Sequence, residues 1–302
     1  MNYIKLILKG FCMGAANVIP GISGGTIAFI LGIYEELIRS IKAFDLKFIK
    51  LLCRFRFKEA FSALDGKFLS AIFLGIAVAI FTLSKVISQL LSSKPILIYS
   101  FFFGLILASI PIIARIIKNW TTAKVMAVCL TALATYFFVG MVPFTTPEAA
   151  WFVFFSGALA ISTMILPGIS GAFVLVLLGK YQFILDAVNQ RDLFVLGVFS
   201  LGMVVGIAGF VRVLSWLFNK HHDLTVTILT GIVIGSLRKI WPWKEVVCSM
   251  TTSRGKVIPI EEVNILPGQL SGEVLLALVV MAFGFILALM LNSSPDEKSL
   301  KS

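Results

Sequence analysis

Charge is scarce in this chain: 14% of its 302 residues are Asp, Glu, Lys or Arg and two are histidine, against 59% hydrophobic, and its mean hydropathy is +1.00. Soluble domains carry roughly a quarter of charged residues to keep a polar surface, so this composition excludes an ordinary water-soluble domain. Cysteine is scarce too. Cys12, Cys53, Cys129 and Cys248 stand far apart without CxxC spacing, so neither a zinc site nor a disulfide framework is indicated. Acidic residues number 15 against 26 basic ones, for a formal charge of +11. The basic residues nevertheless lie between apolar runs and form no groove motif with aromatics, so no nucleic-acid partner follows. What is abundant is apolar sequence. Runs long enough to cross a bilayer core of roughly 30 Å recur along the chain and leave no stretch for a large soluble domain. The expectation is an all-α integral membrane protein without a cofactor or metal.

Two stretches interrupt the apolar pattern in the same way, PGISGGT from Pro20 and PGISGAF from Pro167. At this offset of 147, Pro20–Tyr34 matches Pro167–Tyr181 with eight identities in fifteen positions, and Gly10 matches Gly157. Further on, an offset of 127 pairs Gly75 with Gly202, Lys85 with Arg212, Ser88 with Ser215, Gly104 with Gly231 and Ser109 with Ser236. The start, MNYIKLILKGFCMGAAN, has the look of a signal peptide, but its twin in mid-chain speaks against removal. Residues 1–146 and 147–302 thus read as two repeats. Each opens with a helical hairpin, about 9–41 and 151–187, followed by three spans: about 68–91, 95–114 and 125–142, then 193–218, 224–241 and 271–291. An odd number of crossings starts the second repeat on the opposite side, so the repeats are expected to be inverted about an axis in the membrane plane.

The basic residues orient this arrangement. From Arg39 to Lys67 there are eight Lys or Arg, including Lys47 and Lys58, against Asp45, Glu59 and Asp65, which assigns this loop to the cytoplasm. Lys5, Lys9, Arg115, Lys118, Lys124, Lys220, Lys298 and Lys301 then fall on the same side, and both termini are expected there. The other side receives Lys94, the turn PFTTPEAA, the loop around Arg191, and a mixed loop of about 242–270 with Lys244, Arg254 and Lys256 beside Glu245, Glu261 and Glu262.

The arm Lys9–Ile19 spans roughly 16 Å as a helix, about half the bilayer core. Pro-Gly then breaks it, because proline lacks an N–H and glycine takes turn geometries without strain. Ser23 is placed to N-cap a second arm through Thr26 to Arg39, and Ser170 repeats this grammar. Each repeat therefore reads as a re-entrant hairpin whose tip aims the free N–H groups of Gly24, Gly25 and Thr26, or of Gly171, Ala172 and Phe173, at the protein centre. With Gly21 and Gly168, such termini suit a phosphate or carboxylate. Packing kinks, where small residues let helices approach, are the plainer account.

Charges inside the spans leave alternatives open. Lys85 and Arg212 fall at matching places near opposite leaflets, where each either meets an anionic headgroup or snorkels. Glu35 stands four residues before Arg39, the spacing of a helix-surface ion pair. Asn17 precedes the first break and lines a cavity there, whereas its counterpart Met164 has no such use. Arg238 and Lys239 in GSLRKIWPW face headgroups or flank the interfacial anchors Trp241 and Trp243. His221 and His222 are expected in a solvated cytoplasmic turn.

The segments GFCMGAANVIPGISGGTIAFILGIYEELI, MILPGISGAFVLVLLGKY and GSLRKIWPWK together resemble the PopT-type polyprenyl-phosphate transporters, a family formerly known as a domain of unknown function, over nearly the whole chain. The resemblance implies return of undecaprenyl phosphate from the outer to the inner leaflet of the bacterial cytoplasmic membrane, with membrane lipids as surroundings and a proton or sodium ion as candidate coupling partner. It also implies Asp commonly at the place of Asn17, Arg at that of Glu36 and Ser at that of Ala172, so ion coupling through the first position is in doubt. Two other readings compete. Undecaprenyl-pyrophosphate phosphatases share hairpins and a motif similar to PGxSRS, but here the arginine is missing and no histidine or carboxylate stands near Ser23 or Ser170 in sequence to activate a nucleophile. A small-anion transporter or channel would also use opposed half-helix N-termini.

Overall fold

A computed structural model describes residues 3–44, 48, 50–51, 54–56, 59, 61, 65–251 and 257–292. Lys47, Cys53, Lys58, Arg254, Lys256, Lys298 and Lys301 lie outside these, as does Asp45. The described helices are α1 (Tyr3–Asn17), α2 (Gly24–Ile30), α3 (Tyr34–Lys42), α4 (Gly66–Ser93), α5 (Pro95–Ala114), α6 (Thr122–Phe138), α7 (Ala150–Ile165), α8 (Gly171–Leu177), α9 (Tyr181–Gln190), α10 (Leu193–Ser236) and α11 (Gly272–Asn292). A 3₁₀ turn at Leu237–Ile240 continues α10. Four of these, Gly66–Ser93, Pro95–Ala114, Leu193–Ile240 and Gly272–Asn292, are long and apolar enough to cross a membrane, and the bent pair α8–α9 makes a fifth candidate if counted as one span. The chain is a predominantly helical multi-pass membrane protein. At 1.5 Å per residue, α6 reaches only about 25 Å, shorter than the span expected at 125–142.

Two expectations are corrected. The arm from Thr26 to Arg39 is not one helix: it is split into α2 and α3 at Gly32, whose φ is +67°. The loop of about 242–270 holds an antiparallel hairpin, β1 (Lys244–Thr251) with β2 (Val257–Asn264), in which Glu262 faces Val246 and Asn264 faces Lys244. Within α10, His221 leaves helical geometry (φ −135°, ψ 50°), and this kink between two helices falls between the spans expected at 193–218 and 224–241.

Small residues position the elements. A methyl group at Gly10 would strike the main chain of Ile72, and one at Gly157 the main chain of Phe199, so α1 lies tight along α4 as α7 does along α10. Gly75 against Ile7 and Gly202 against Phe154 repeat this from the other partner. Without a hydrophobic driving force between helices in lipid, such close backbone approach supplies the packing. Pairing also crosses the midpoint of the chain. Gly104 of α5 rests on Met281 of α11, and Gly231 of α10 rests on Val128 and Thr131 of α6. The first and second halves are therefore interlocked. The largest apolar core, including Ile19, Ile30, Ile33, Ile72, Ile106 and Leu229, surrounds the first break.

Candidate functional site

The two breaks share one backbone geometry. Gly21 (φ +87°) and Gly168 (φ +89°) follow the prolines, and Gly32 (φ +67°) and Gly179 (φ +62°) end the short helices α2 and α8. These left-handed conformations are available to glycine without strain, which accounts for the breakers at both places. The turn at Gly179 bends α9 by 101° from α8.

The first tip is closed on itself. Asn17 Oδ1 accepts from the Gly24 N–H at 2.8 Å, Ser23 Oγ accepts from the Gly25 N–H at 3.1 Å, and the Thr26 N–H donates to the Ser23 carbonyl at 3.0 Å. Ser23 is thus an N-cap as its position suggests. The three N–H groups expected to be free are engaged, and Asn17 holds one of them instead of lining a cavity. The reason is local: a helix start buried in apolar surroundings takes the nearest acceptors when water is absent.

That closed tip is locked onto the second break. The Ser23 hydroxyl lies 3.2 Å from the carbonyls of both Met164 and Leu166, and Tyr34 donates to the Ile165 carbonyl at 3.2 Å. In return the Gly168 N–H donates to Thr26 Oγ1 at 2.8 Å. Ser23 is 3% exposed and Thr26 fully buried, so these bonds replace water that cannot reach the end of α7. Gly25 permits the approach: a Cβ there would sit 2.6 Å from the Ile165 carbonyl oxygen. The second tip is different. Ser170 is half-buried and makes no side-chain cap, Ala172 is exposed, and no partner is found among the described residues for the N–H groups of Gly171, Ala172 and Phe173.

A serine nucleophile needs a base at its hydroxyl. Ser23 finds main-chain carbonyls there, which accept a hydrogen bond but take no proton. The geometry is that of a structural latch.

The remaining candidates are dispersed. Lys85 is exposed on α4 with no partner among the described residues, and Arg212 is exposed on α10, where it donates to the Ala208 carbonyl of its own helix at 2.7 Å. Neither joins the tips. Glu35 bonds His222 Nε2 at 3.0 Å rather than Arg39, so this is a tertiary contact between α3 and α10, and His222 is not simply solvated. Beside it a cavity of about 200 Å³ is lined by Glu35, Arg39, Lys42, Ser215 and Asn219. Arg238 stacks 4.4 Å above the Tyr136 ring and donates to the Tyr136 carbonyl at 2.9 Å. The carbonyls ending α2 and α8 are capped differently, Leu31 by Lys9 Nζ at 2.8 Å and Leu178 by Thr146 Oγ1 at 2.6 Å.

One cluster was not foreseen. Glu262 Oε2 lies 3.1 Å from Lys244 Nζ and 3.5 Å from Lys239 Nζ, and Lys244 also donates to the Lys239 carbonyl at 2.6 Å. Two β-branched runs, KEVVCSMT and VIPIEEVN, carried the strand signal that brings Glu262 back to the end of α10. Burial alone would raise the Glu262 carboxyl, but Lys244 and Lys239 outweigh it and hold it below the ordinary carboxylate range. Burial, with Lys239 adding to it against Glu262, pulls Lys244 below the usual lysine value. A depressed carboxyl contributes stability above its unfolded value of about 4.3, and that contribution is lost as pH falls through the lower folded value. Amide exchange of β1 and β2 is therefore expected to stay slow from neutrality down through pH 4.3 and to accelerate only below it. Loss of protection already near pH 6 would contradict this clasp.

Residues 13–258 match the family described as undecaprenyl phosphate translocase-like. A protein of Vibrio cholerae serotype O1 named polyprenyl-phosphate transporter is 41% identical over 303 residues, covering 98% of both chains. A second of that name, from Staphylococcus aureus, is 30% identical over 254 residues, covering 78% of this chain and 85% of its own. No solved structure matches significantly.

Proposed function

We propose, since the chain belongs to the undecaprenyl phosphate translocase-like family, that it is a transporter of polyprenyl phosphate and moves undecaprenyl phosphate from the outer to the inner leaflet of the bacterial cytoplasmic membrane. The observation that carries the mechanism is the latch between the two breaks, four side-chain or main-chain bonds across more than 130 residues of sequence. Such a joint couples the two breaks at one place, as alternating access about them requires. Its two sides are unequal in the described state: the first tip is sealed, while at the second Ala172 is exposed and the N–H groups of Gly171, Ala172 and Phe173 have no partner among the described residues. The phosphate binds at that second tip and the isoprenoid tail stays in lipid, because leaving an apolar tail in the bilayer avoids its transfer cost. Inverted repeats, with both termini in the cytoplasm, fit the distribution of basic loops and the recurrence of the Gly10 and Gly157 contacts. Asn17 carries no titratable proton and its Oδ1 already accepts from the Gly24 N–H, so it is no proton carrier.

Native mass spectrometry of the purified protein, titrated with undecaprenyl phosphate and with undecaprenol, tests this reading. The phosphate is expected to bind and the alcohol not. Equal retention of both would show a greasy surface without headgroup recognition, and binding of chloride or acetate alone would move the assignment to a small-anion carrier.

A further inference from the structure

Glu262 is held between two ammonium groups at the base of the β-hairpin. Its carboxylate faces two ammonium groups, with side-chain exposures of 10% for Lys244, 30% for Lys239 and 19% for itself. Among the described residues one carboxylate answers two lysines. A phosphate monoester carries about −1.5 to −2 near neutral pH and three acceptor oxygens, so it would satisfy the pair better than Glu262 does, using the same charge-assisted hydrogen bonds.

The cluster also adjoins both tips. The stem of Lys239 passes 3.3 Å from where a Gly21 side chain would begin, and its ammonium stands 5.2 Å from the Phe173 ring, at the start of α8. The Lys244 ammonium lies 4.9 Å over the Tyr99 ring of α5. The hairpin bearing Glu262 is tied at its base, by Asn264 donating to the Arg238 carbonyl, the Trp241 indole donating to the Ile265 carbonyl and the Ile265 N–H donating to the Trp243 carbonyl, each 2.9 to 3.0 Å. Glu262 sits two residues beyond these ties. It can leave the lysines while the base of the hairpin stays attached.

We propose that Lys239 and Lys244 form a receiving site for a phosphate headgroup, that Glu262 occupies this site as a resident carboxylate, and that the β1–β2 hairpin lifts when the headgroup displaces it. That the ligand is a lipid phosphate rests on the function proposed above; the phosphate chemistry of the site does not.

The test titrates undecaprenyl phosphate and, separately, inorganic phosphate into the full chain in nanodiscs of zwitterionic lipid. Wild type is compared with Glu262→Gln, Lys244→Gln and Lys244→Arg, with amide exchange of the hairpin followed in parallel. Removing the competitor in Glu262→Gln is expected to tighten lipid binding about tenfold, which is about 1.4 kcal/mol. Lys244→Gln is expected to weaken it by a similar factor, Lys244→Arg to restore it, and ligand to speed exchange in β1 and β2 of the wild type. Unchanged or weaker binding in Glu262→Gln, with the hairpin still protected, would make Glu262 a structural clasp and overturn the proposal. If wild type binds the lipid and no variant alters it, this site falls and the transport reading stands. If only inorganic phosphate binds, with the expected order of variants, the site stands and the lipid reading falls.

Discussion

Gly25→Ala is expected to reduce transport of polyprenyl phosphate roughly 10- to 100-fold while the protein still inserts in the membrane. The added methyl would start 2.6 Å from the carbonyl oxygen of Ile165, a main-chain atom at the end of α7 that cannot turn aside as a side chain can. The two breaks must then separate by several tenths of an ångström, stretching the Ser23 and Thr26 bonds that join them. Overpacking of this kind costs about 1–3 kcal/mol, and each 1.4 kcal/mol is a factor of ten in an equilibrium. The control is Gly197→Ala. Gly197 lies in α10 with nothing within 4 Å of its would-be Cβ, and an alanine in a helix is favoured over glycine by about 1 kcal/mol. Equal loss in both variants, measured in proteoliposomes of matched protein content, would show that the contact at Ile165 is immaterial.

Thr26→Val is expected to destabilise the protein by about 1–3 kcal/mol, the cost of leaving a buried donor unpaired. Valine matches the shape of threonine, so the change removes the hydroxyl with little cavity. What it leaves is the Gly168 N–H, which donates to Thr26 Oγ1 at 2.8 Å in a fully buried setting. Water cannot take the place of that oxygen without entering the apolar core around the first break. Thr26→Ser should recover most of the loss, since it restores the acceptor and gives up only a methyl group. Thermal unfolding in detergent reads this directly. A Thr26→Val protein as stable as wild type would mean that the tips are not held as described.

The membrane class and the helical breaks were legible because each rests on a property of neighbouring residues. Apolar run length reports a span, and Pro20-Gly21 or Pro167-Gly168 reports a break wherever it occurs. Ser23 as a cap belongs with these, since the N–H it accepts from is two residues away. The engagement of the tip donors was less visible. Asn17 reaches Gly24 only because the chain reverses between them, and Ser23 meets Met164 and Leu166 only in the folded protein. Glu35 shows the same limit. Its spacing to Arg39 suits a local pair worth about 0.2–0.5 kcal/mol, too little to prevail once α10 brings His222 within 3.0 Å. The β-hairpin was hidden for another reason: mixed charge made 242–270 look like loop, although β-branched residues recur in both strands.

Transbilayer movement of a labelled undecaprenyl phosphate in proteoliposomes containing only this protein addresses the central claim most directly. If the chain is a polyprenyl-phosphate transporter, wild type will equilibrate the lipid between leaflets far faster than protein-free vesicles, and Gly25→Ala will slow it by the factor given above. Movement no faster than in protein-free vesicles, with the protein shown to be folded and inserted, would contradict the account.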